Sequence, residues 1–418
     1  MYNNRSIQVK FDQILYVLFC LYAFSISFEL VLESLFQIRT IFKPFRVISL
    51  AIIGTYFVRS IRMGIHFDPG DKEDIFLYLI FIYGIMVSCV QVVAGIFNTT
   101  LFYNDLFLTG LLTLTFFVYK TIDISKLQAL RIIYFFFLGV VINAGYIIYL
   151  SVAGLGRGRQ SGFIDNPNYA ALGLVAAMAF LLIKNDFGKQ FWRKFLNIGI
   201  LFFLAYIFIL TGSRTGLILF MLVLVFLFIF SSFRRKLLLL SICVVIGFQL
   251  LTVDAQRVLL FGNNLVLINR VNKKLKNDTE DVRFIIWRGL FRALEDRGYL
   301  GMGIGQFKAN FSKFYNEESH SLVLEIVNRG YHLSLHNDYL AILADYGIPG
   351  LLFYFVFLYI AFKKLALRLL YHQEGKETAF LYRYTFTMLT CLIVFGLTAE
   401  NFQHPLYWFL LMVSTKNY

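Results

Sequence analysis

Apolar runs of about twenty residues recur along the whole chain, the length a helix needs to cross the hydrocarbon layer of a bilayer. Nothing else in the sequence restricts the fold as strongly. Inside a bilayer every backbone N–H and C=O must be satisfied within the protein, which leaves helix bundles and closed barrels. The runs lack the alternation, and the spacing of about ten residues, of a membrane barrel. Of the 418 residues 59% are hydrophobic and 15% charged, more apolar surface than a soluble domain of this size could hide. The expected fold is an all-α polytopic membrane protein. About twelve spans are predicted, near 11–31, 45–61, 75–96, 103–119, 132–152, 168–183, 195–212, 215–231, 237–252, 337–362, 380–398 and 405–415. One integral membrane domain results: helices 1–9 over 1–252, a polar segment over 253–336, and helices 10–12 over 337–418.

Basic residues test the sidedness. With the N-terminus inside, the cytoplasmic loops and termini hold twenty-one Lys and Arg, against six in the short outer loops: Arg39, Lys43, Arg46, Arg157, Arg159 and Arg214. That bias puts the 253–336 segment on the extracytoplasmic face; its own twelve basic residues lie in a loop too long to obey the rule. The net charge of +14 is thus explained by helix anchoring, and nucleic acid is not expected as a partner. Cys20, Cys89, Cys243 and Cys391 all fall inside apolar runs, where they read as small core or lipid-facing residues rather than disulfide partners. The short polar stretch Met1–Lys10 followed by a full span reads as a retained first helix.

The polar segment interrupts an otherwise oily chain and is the natural place for chemistry. Within it, Val282, Ile285, Ile286, Leu290 and Leu294 recur at helical spacing, and Gly298, Gly301, Gly303 and Gly305 break that helix. Apolar residues return at Leu322–Val327. The expectation is a partly helical cap lying on the membrane.

Three outer-face stretches carry groups suited to an anionic substrate. Thr211-Gly212-Ser213-Arg214-Thr215-Gly216 is a tight turn between spans; its glycines let the backbone approach an anion, although Arg214 also reads as a snorkelling anchor. Arg283 and Trp287 lie four apart on one helix face, with Arg288 beside them; the alternative is an amphipathic helix whose arginines meet headgroups. A guanidinium grips phosphate oxygens through a two-pronged fork. His336-Asn337-Asp338-Tyr339-Leu340 opens the tenth span, and histidine is the side chain suited to take a proton near neutral pH, although a histidine at a helix start is often only a cap. Gly347-Ile348-Pro349-Gly350 should break that span, as a kink or a re-entrant turn that could shape a cavity. Arg157 and Arg159, near Asp165-Asn166-Pro167-Asn168-Tyr169, add cations to the same face, and Glu400, Asn401 and His404 are weaker candidates. There is no metal-ligand spacing, no nucleotide-binding loop and no nucleophile elbow, so neither a metal nor a cofactor is expected.

The order of these stretches resembles the O-antigen ligase and polymerase superfamily. The likeness rests on twelve spans, a Ser-Arg turn between the seventh and eighth, Arg-x-x-x-Trp followed by Gly-x-Gly-x-Gly in the large outer loop, and His-Asn-x-x-Leu with Gly-x-x-Gly at the tenth span. It implies a bacterial inner-membrane glycosyltransferase, metal-independent and inverting, that moves glycan from undecaprenyl pyrophosphate on the periplasmic face. It implies pyrophosphate-binding roles for Arg214 and Arg283, with Arg288 as a further candidate, and a catalytic role for His336. Arg157, Arg159, Trp287 and Asn337 are candidate substrate contacts. Implied partners are the lipid-linked glycan, an acceptor glycan or lipid A core, membrane lipids, and chain-length regulator and flippase proteins.

Arginines aimed at a departing pyrophosphate would stabilise its developing charge, and a histidine could accept the acceptor hydroxyl's proton. The outer face lacks ATP and sugar nucleotides, so a preactivated lipid-linked donor is the natural energy source. A repeat-unit polymerase is the favoured reading, because a sequence rich in Phe, Ile, Lys and Asn fits a horizontally exchanged polysaccharide cluster; a ligase is the alternative. A lipid-linked oligosaccharide flippase is the rival from another class, but polar residues within spans, the mark of a transport path, are scarce.

Overall fold

The computed structural model describes residues 2–31, 43–63, 74–93, 99–155, 159–184, 191–230, 282–296, 298–314, 334–371, 375–400 and 402–416. The predicted span 237–252, the apolar stretch 322–327 and Arg157 lie outside them. The described helices are α1 (Tyr2–Ser25), α2 (Pro44–Met63), α3 (Asp74–Val93), α4 (Thr99–Thr121), α5 (Lys126–Val152), α6 (Pro167–Lys184), α7 (Phe191–Thr211), α8 (Arg214–Phe230), α9 (Val282–Asp296), α10 (Gln306–Phe314), α11 (Asp338–Tyr371), α12 (Lys376–Gly396) and α13 (Pro405–Thr415). No strand occurs among the described residues. Among the described residues eight helices are long and apolar enough to span a bilayer, and three shorter apolar ones lie over Phe195–Thr211, Arg214–Phe230 and Pro405–Thr415. The protein is an all-α polytopic membrane protein.

Which helices lie inside follows from how completely they are apolar. Every residue of α13 is buried, as is the run Ala170–Leu181 of α6. Helices that are hydrophobic all round can only sit at the centre of a bundle or in lipid. Trp408 and Phe409 of α13 pack edge-on or tilted against Phe116 of α4 and Phe136 of α5. At about 1.5 Å per residue, α13 is long enough for roughly half the bilayer. The outer helices instead expose apolar side chains, such as Phe57, Val90 and Phe202, where a water-soluble protein would place charge.

One end of the bundle is tied together by buried lysines. Lys120 pairs with Asp74 at 3.2 Å and donates to the Thr415 carbonyl at 2.7 Å. Lys416 donates to the carbonyls of Tyr119, Lys120 and Ile122 at 3.2, 2.7 and 2.6 Å. These bonds satisfy orphan carbonyls at the C-terminus of α4 and gather the ends of α4 and α13 beside the start of α3. Ser125 and Gln128 form a capping box where α5 begins. The opposite end gathers the segments singled out above.

The kink in α11 is built with help from elsewhere in the chain. Gly347 has φ 64° and ψ −168°, and Pro349 has no N–H to give the Asp345 carbonyl. The released groups pair with the glycine segment after α9. Met302 N–H donates to Ala344 O at 2.8 Å, Gly303 N–H to Asp345 O at 3.0 Å, and Ile348 N–H to Tyr299 O at 3.0 Å. Backbones this close leave no space for side chains: a Cβ on Gly301 would lie 2.6 Å from Gly347 N. Tyr83 of α3 donates to Leu300 O at 3.1 Å, and Ser88 accepts from Ile304 N–H at 3.0 Å. The glycine segment is thus wedged between α3 and α11. The expectation of a cap lying on the membrane missed this insertion, because the carbonyls that hold it belong to a kink some forty residues downstream.

Candidate active site

His336 lies just before α11, half-buried, with φ 49°. Left-handed backbone is costly for a residue with a Cβ, on the order of 1–2 kcal/mol, and persists where the surroundings over-determine it. Here they do, from both sides. The Trp287 indole N–H donates to Leu335 O at 2.9 Å. The Leu335 N–H and the Ser334 hydroxyl both donate to Glu400 Oε2, at 3.2 and 2.7 Å. Asn337 caps α11, its Oδ1 accepting from Leu340 N–H at 3.1 Å while its Nδ2 donates to Leu397 O at 3.1 Å. Asp338, fully buried, accepts Phe402 N–H at 2.9 Å. The turn carrying His336 is therefore clamped between α9, α12 and the turn from α12 to α13.

Glu400 is the hub of this arrangement. Its Oε1 pairs with Lys308 of α10, and its backbone carbonyl accepts the Tyr169 hydroxyl of α6. Burial alone would raise the Glu400 pKa, but the Lys308 charge and hydrogen bond, the Ser334 hydroxyl and the charge of His336 outweigh it and hold the carboxyl below its usual range. Burial would likewise lower Lys308; Glu400, with Asp105 and Asp345, raises it instead. A second carboxylate, this one buried, lies next door. The Tyr169 ring stacks on His404 at 3.6 Å, and His404 Nε2 faces Glu29 at 3.5 Å. Burial opposes ionisation of Glu29 too, but His404 and Lys43 bring its pKa down to about 2.

The Ser-Arg turn joins the same end through α6. Ser213 caps α8, its hydroxyl accepting Gly216 N–H at 3.0 Å and donating to Asn168 Oδ1 at 2.9 Å. Arg159 donates through Nε to Thr211 O at 3.1 Å and through a terminal nitrogen to Asn168 Oδ1 at 2.6 Å. Arg214, half-buried, is the first residue of α8. Asn168 and Tyr169 are consecutive, so one turn of α6 touches the Ser-Arg turn on one side and Glu400 on the other. Arg283 is half-buried on α9, one helical turn before Trp287, and Arg288 is exposed.

The structure thus brings His336, Trp287, Asn337, Arg159 and the Arg214 turn to one end of the bundle. It gives Trp287 and Asn337 partners that shape the His336 turn. Lys308 was missed from the sequence and Glu400 undervalued. The available signal was a carboxylate in a polar turn, Glu400 to His404, where a short span begins; Lys308 lies in no motif. Among the described residues no group of His, Cys, Asp and Glu could hold a metal.

Residues 199–355 match the family model described as O-Antigen ligase. The matched stretch runs from α7 into α11 and includes the Ser213-Arg214 turn, Arg283, Trp287 and His336. The superfamily resemblance drawn from the motifs is borne out by this match. No curated protein matches the chain.

Proposed function

We propose that the chain is a polysaccharide repeat-unit polymerase of the O-antigen ligase and polymerase superfamily, transferring glycan from undecaprenyl pyrophosphate to an acceptor sugar hydroxyl on the periplasmic face of the inner membrane. In this reading the acceptor oxygen attacks the anomeric carbon as its proton passes to His336. The bond from that carbon to the pyrophosphate oxygen breaks, and its electron pair leaves with the lipid pyrophosphate. Attack opposite the leaving group inverts the anomeric centre. Arg214 and Arg283 stabilise the charge that gathers on the leaving group, with Arg288 as a further donor at the rim. Arg157, Arg159, Trp287 and Asn337 complete the proposed substrate-side shell, the last two by holding the His336 turn.

The observation that carries this reading is the clamp on His336. A histidine kept in left-handed backbone by an indole N–H on one side and a half-buried carboxylate on the other is built more firmly than a helix cap requires. The family model's description favours a second reading, transfer of the finished chain to lipid A core. The two readings separate in a deletion strain, read on a gel of surface polysaccharide. Loss of the ladder with one repeat unit still on lipid A core supports polymerase, and loss of all attachment supports ligase. Purified protein with a lipid-pyrophosphate donor tests the chemistry. His336→Gln should lose transfer at least a hundredfold, and Lys should replace Arg214 or Arg283 poorly because it keeps charge without the fork. Near-normal turnover in His336→Gln would remove the base from the mechanism.

A further inference from the structure

At the end of the bundle away from His336, a cavity of about 510 Å³ opens between α5, α6 and α12. Four cations from these three helices line it: Arg131, Lys184, Lys376 and Arg383. Among the described residues, Glu377 is the one carboxylate in its wall. The rest of the lining is mainly apolar, from Leu127, Leu130, Tyr134, Ile183 and Phe380. Lys126 of α5 donates to Thr378 of α12 at 3.1 Å and closes the two helices together beside it.

Three observations separate this cavity from scattered anchoring lysines. First, the cations converge on one space from three helices. Second, Arg383 is half-buried, two turns into α12 among fully buried neighbours, and has no ion pair among the described residues. A guanidinium at that depth is costly unless an anion meets it. Third, Leu127 is 49% and Tyr134 39% exposed, an apolar flank on the bundle's outer surface beside the charged lining. Lys184 lies 4.0 Å from the centre of the Tyr134 ring, which holds one cation against that flank.

We propose that this cavity is a binding site for an anionic phospholipid. The phosphodiester headgroup sits among Arg131, Lys184, Lys376 and Arg383, and the acyl chains run along Leu127 and Tyr134. A free phosphate would satisfy the cations equally but leave the apolar flank unused. Basic pockets between membrane helices recognise anionic headgroups in this way. The site is separate from the proposed transfer chemistry and does not depend on it.

The test is native mass spectrometry of the purified, delipidated full chain titrated with phosphatidylglycerol, phosphatidylcholine or inorganic phosphate. The expected result is one phosphatidylglycerol bound at least tenfold more tightly than phosphatidylcholine. The Lys376→Gln/Arg383→Gln double variant should lose at least that tenfold for phosphatidylglycerol, with phosphatidylcholine unchanged. Equal binding of the two lipids to the wild type would overturn the site, as would undiminished phosphatidylglycerol binding by the variant. Inorganic phosphate binding as tightly as phosphatidylglycerol would overturn the lipid and leave a phosphate site only. Should the variant fail to fold, the comparison of the three ligands on the wild type still decides.

Discussion

At the residue scale, the Glu400–Lys308 pair governs how firmly the His336 turn is held. Removing one member of a buried ion pair strands the other and costs about 3–5 kcal/mol, and less for a pair that, like this one, keeps some solvent contact, whereas removing both is far milder. Glu400→Gln should therefore lower thermal stability more than the Glu400→Gln/Lys308→Met double variant does. Unfolding of the two purified proteins in the same detergent checks the order, and equal losses would show the pair to be loosely solvated. The pH dependence follows in sign. Glu400 and Glu29 are both held below the usual carboxylate range, Glu29 at about 2. Their contribution is complete above the unfolded carboxylate value of about 4.3. It is lost as pH falls from there through their folded values. Stability should fall on the acid side of that value, and less steeply in Glu29→Gln, as pH-dependent unfolding would show.

At the scale of elements, the junction between the glycine segment and the α11 kink fixes where α11 starts and hence where His336 sits. Gly301 has φ 95° and no space for a Cβ, whereas Gly298 has φ 66° with nothing within 4 Å of its would-be Cβ. Gly298→Ala should cost only the conformational term, about 1–2 kcal/mol. Gly301→Ala carries the same term plus a backbone clash with Gly347, and should unfold at lower temperature and transfer more slowly. Comparable behaviour of the two variants would mean that the segment moves off the kink at little cost. Trp287 acts at this scale too. Trp287→Phe keeps most of the apolar contact with the cluster around Ile286, Phe311 and Leu335 but leaves the Leu335 carbonyl without its donor, a loss of about 1–3 kcal/mol if that oxygen stays dry. Turnover should drop with donor affinity little changed, which steady-state kinetics on the purified protein would separate.

At the scale of the whole molecule, the bundle has two chemically different ends. One is sealed by Lys120, Asp74 and Lys416; the other carries His336, Glu400, Lys308 and the Arg214 turn. On the basic-residue bias, the first is proposed to face the cytoplasm. In a background lacking the four native cysteines, Asp296→Cys on α9 and Asp123→Cys between α4 and α5 place exposed thiols at the two ends. A membrane-impermeant thiol reagent should label the first in cells with a permeabilised outer membrane and the second only after lysis. The reverse pattern would invert the protein and place its proposed site among cytoplasmic substrates.

The sequence by itself determined the class of fold and most of the spans, because hydrocarbon tolerates no unsatisfied backbone and so makes long apolar runs speak plainly. It also marked His336, Arg214, Arg283 and Trp287, which stand in short local patterns. Tertiary structure alone decided what each of them touches. Glu400 reaches Ser334 and Leu335 across sixty-six and sixty-five residues, and the glycine segment meets a kink some forty residues on. Hydrogen bonds of that range leave no period in the chain: their partners are set by which helix ends the bundle brings together, and a carboxylate or a glycine looks the same beforehand whether it meets water or a neighbour.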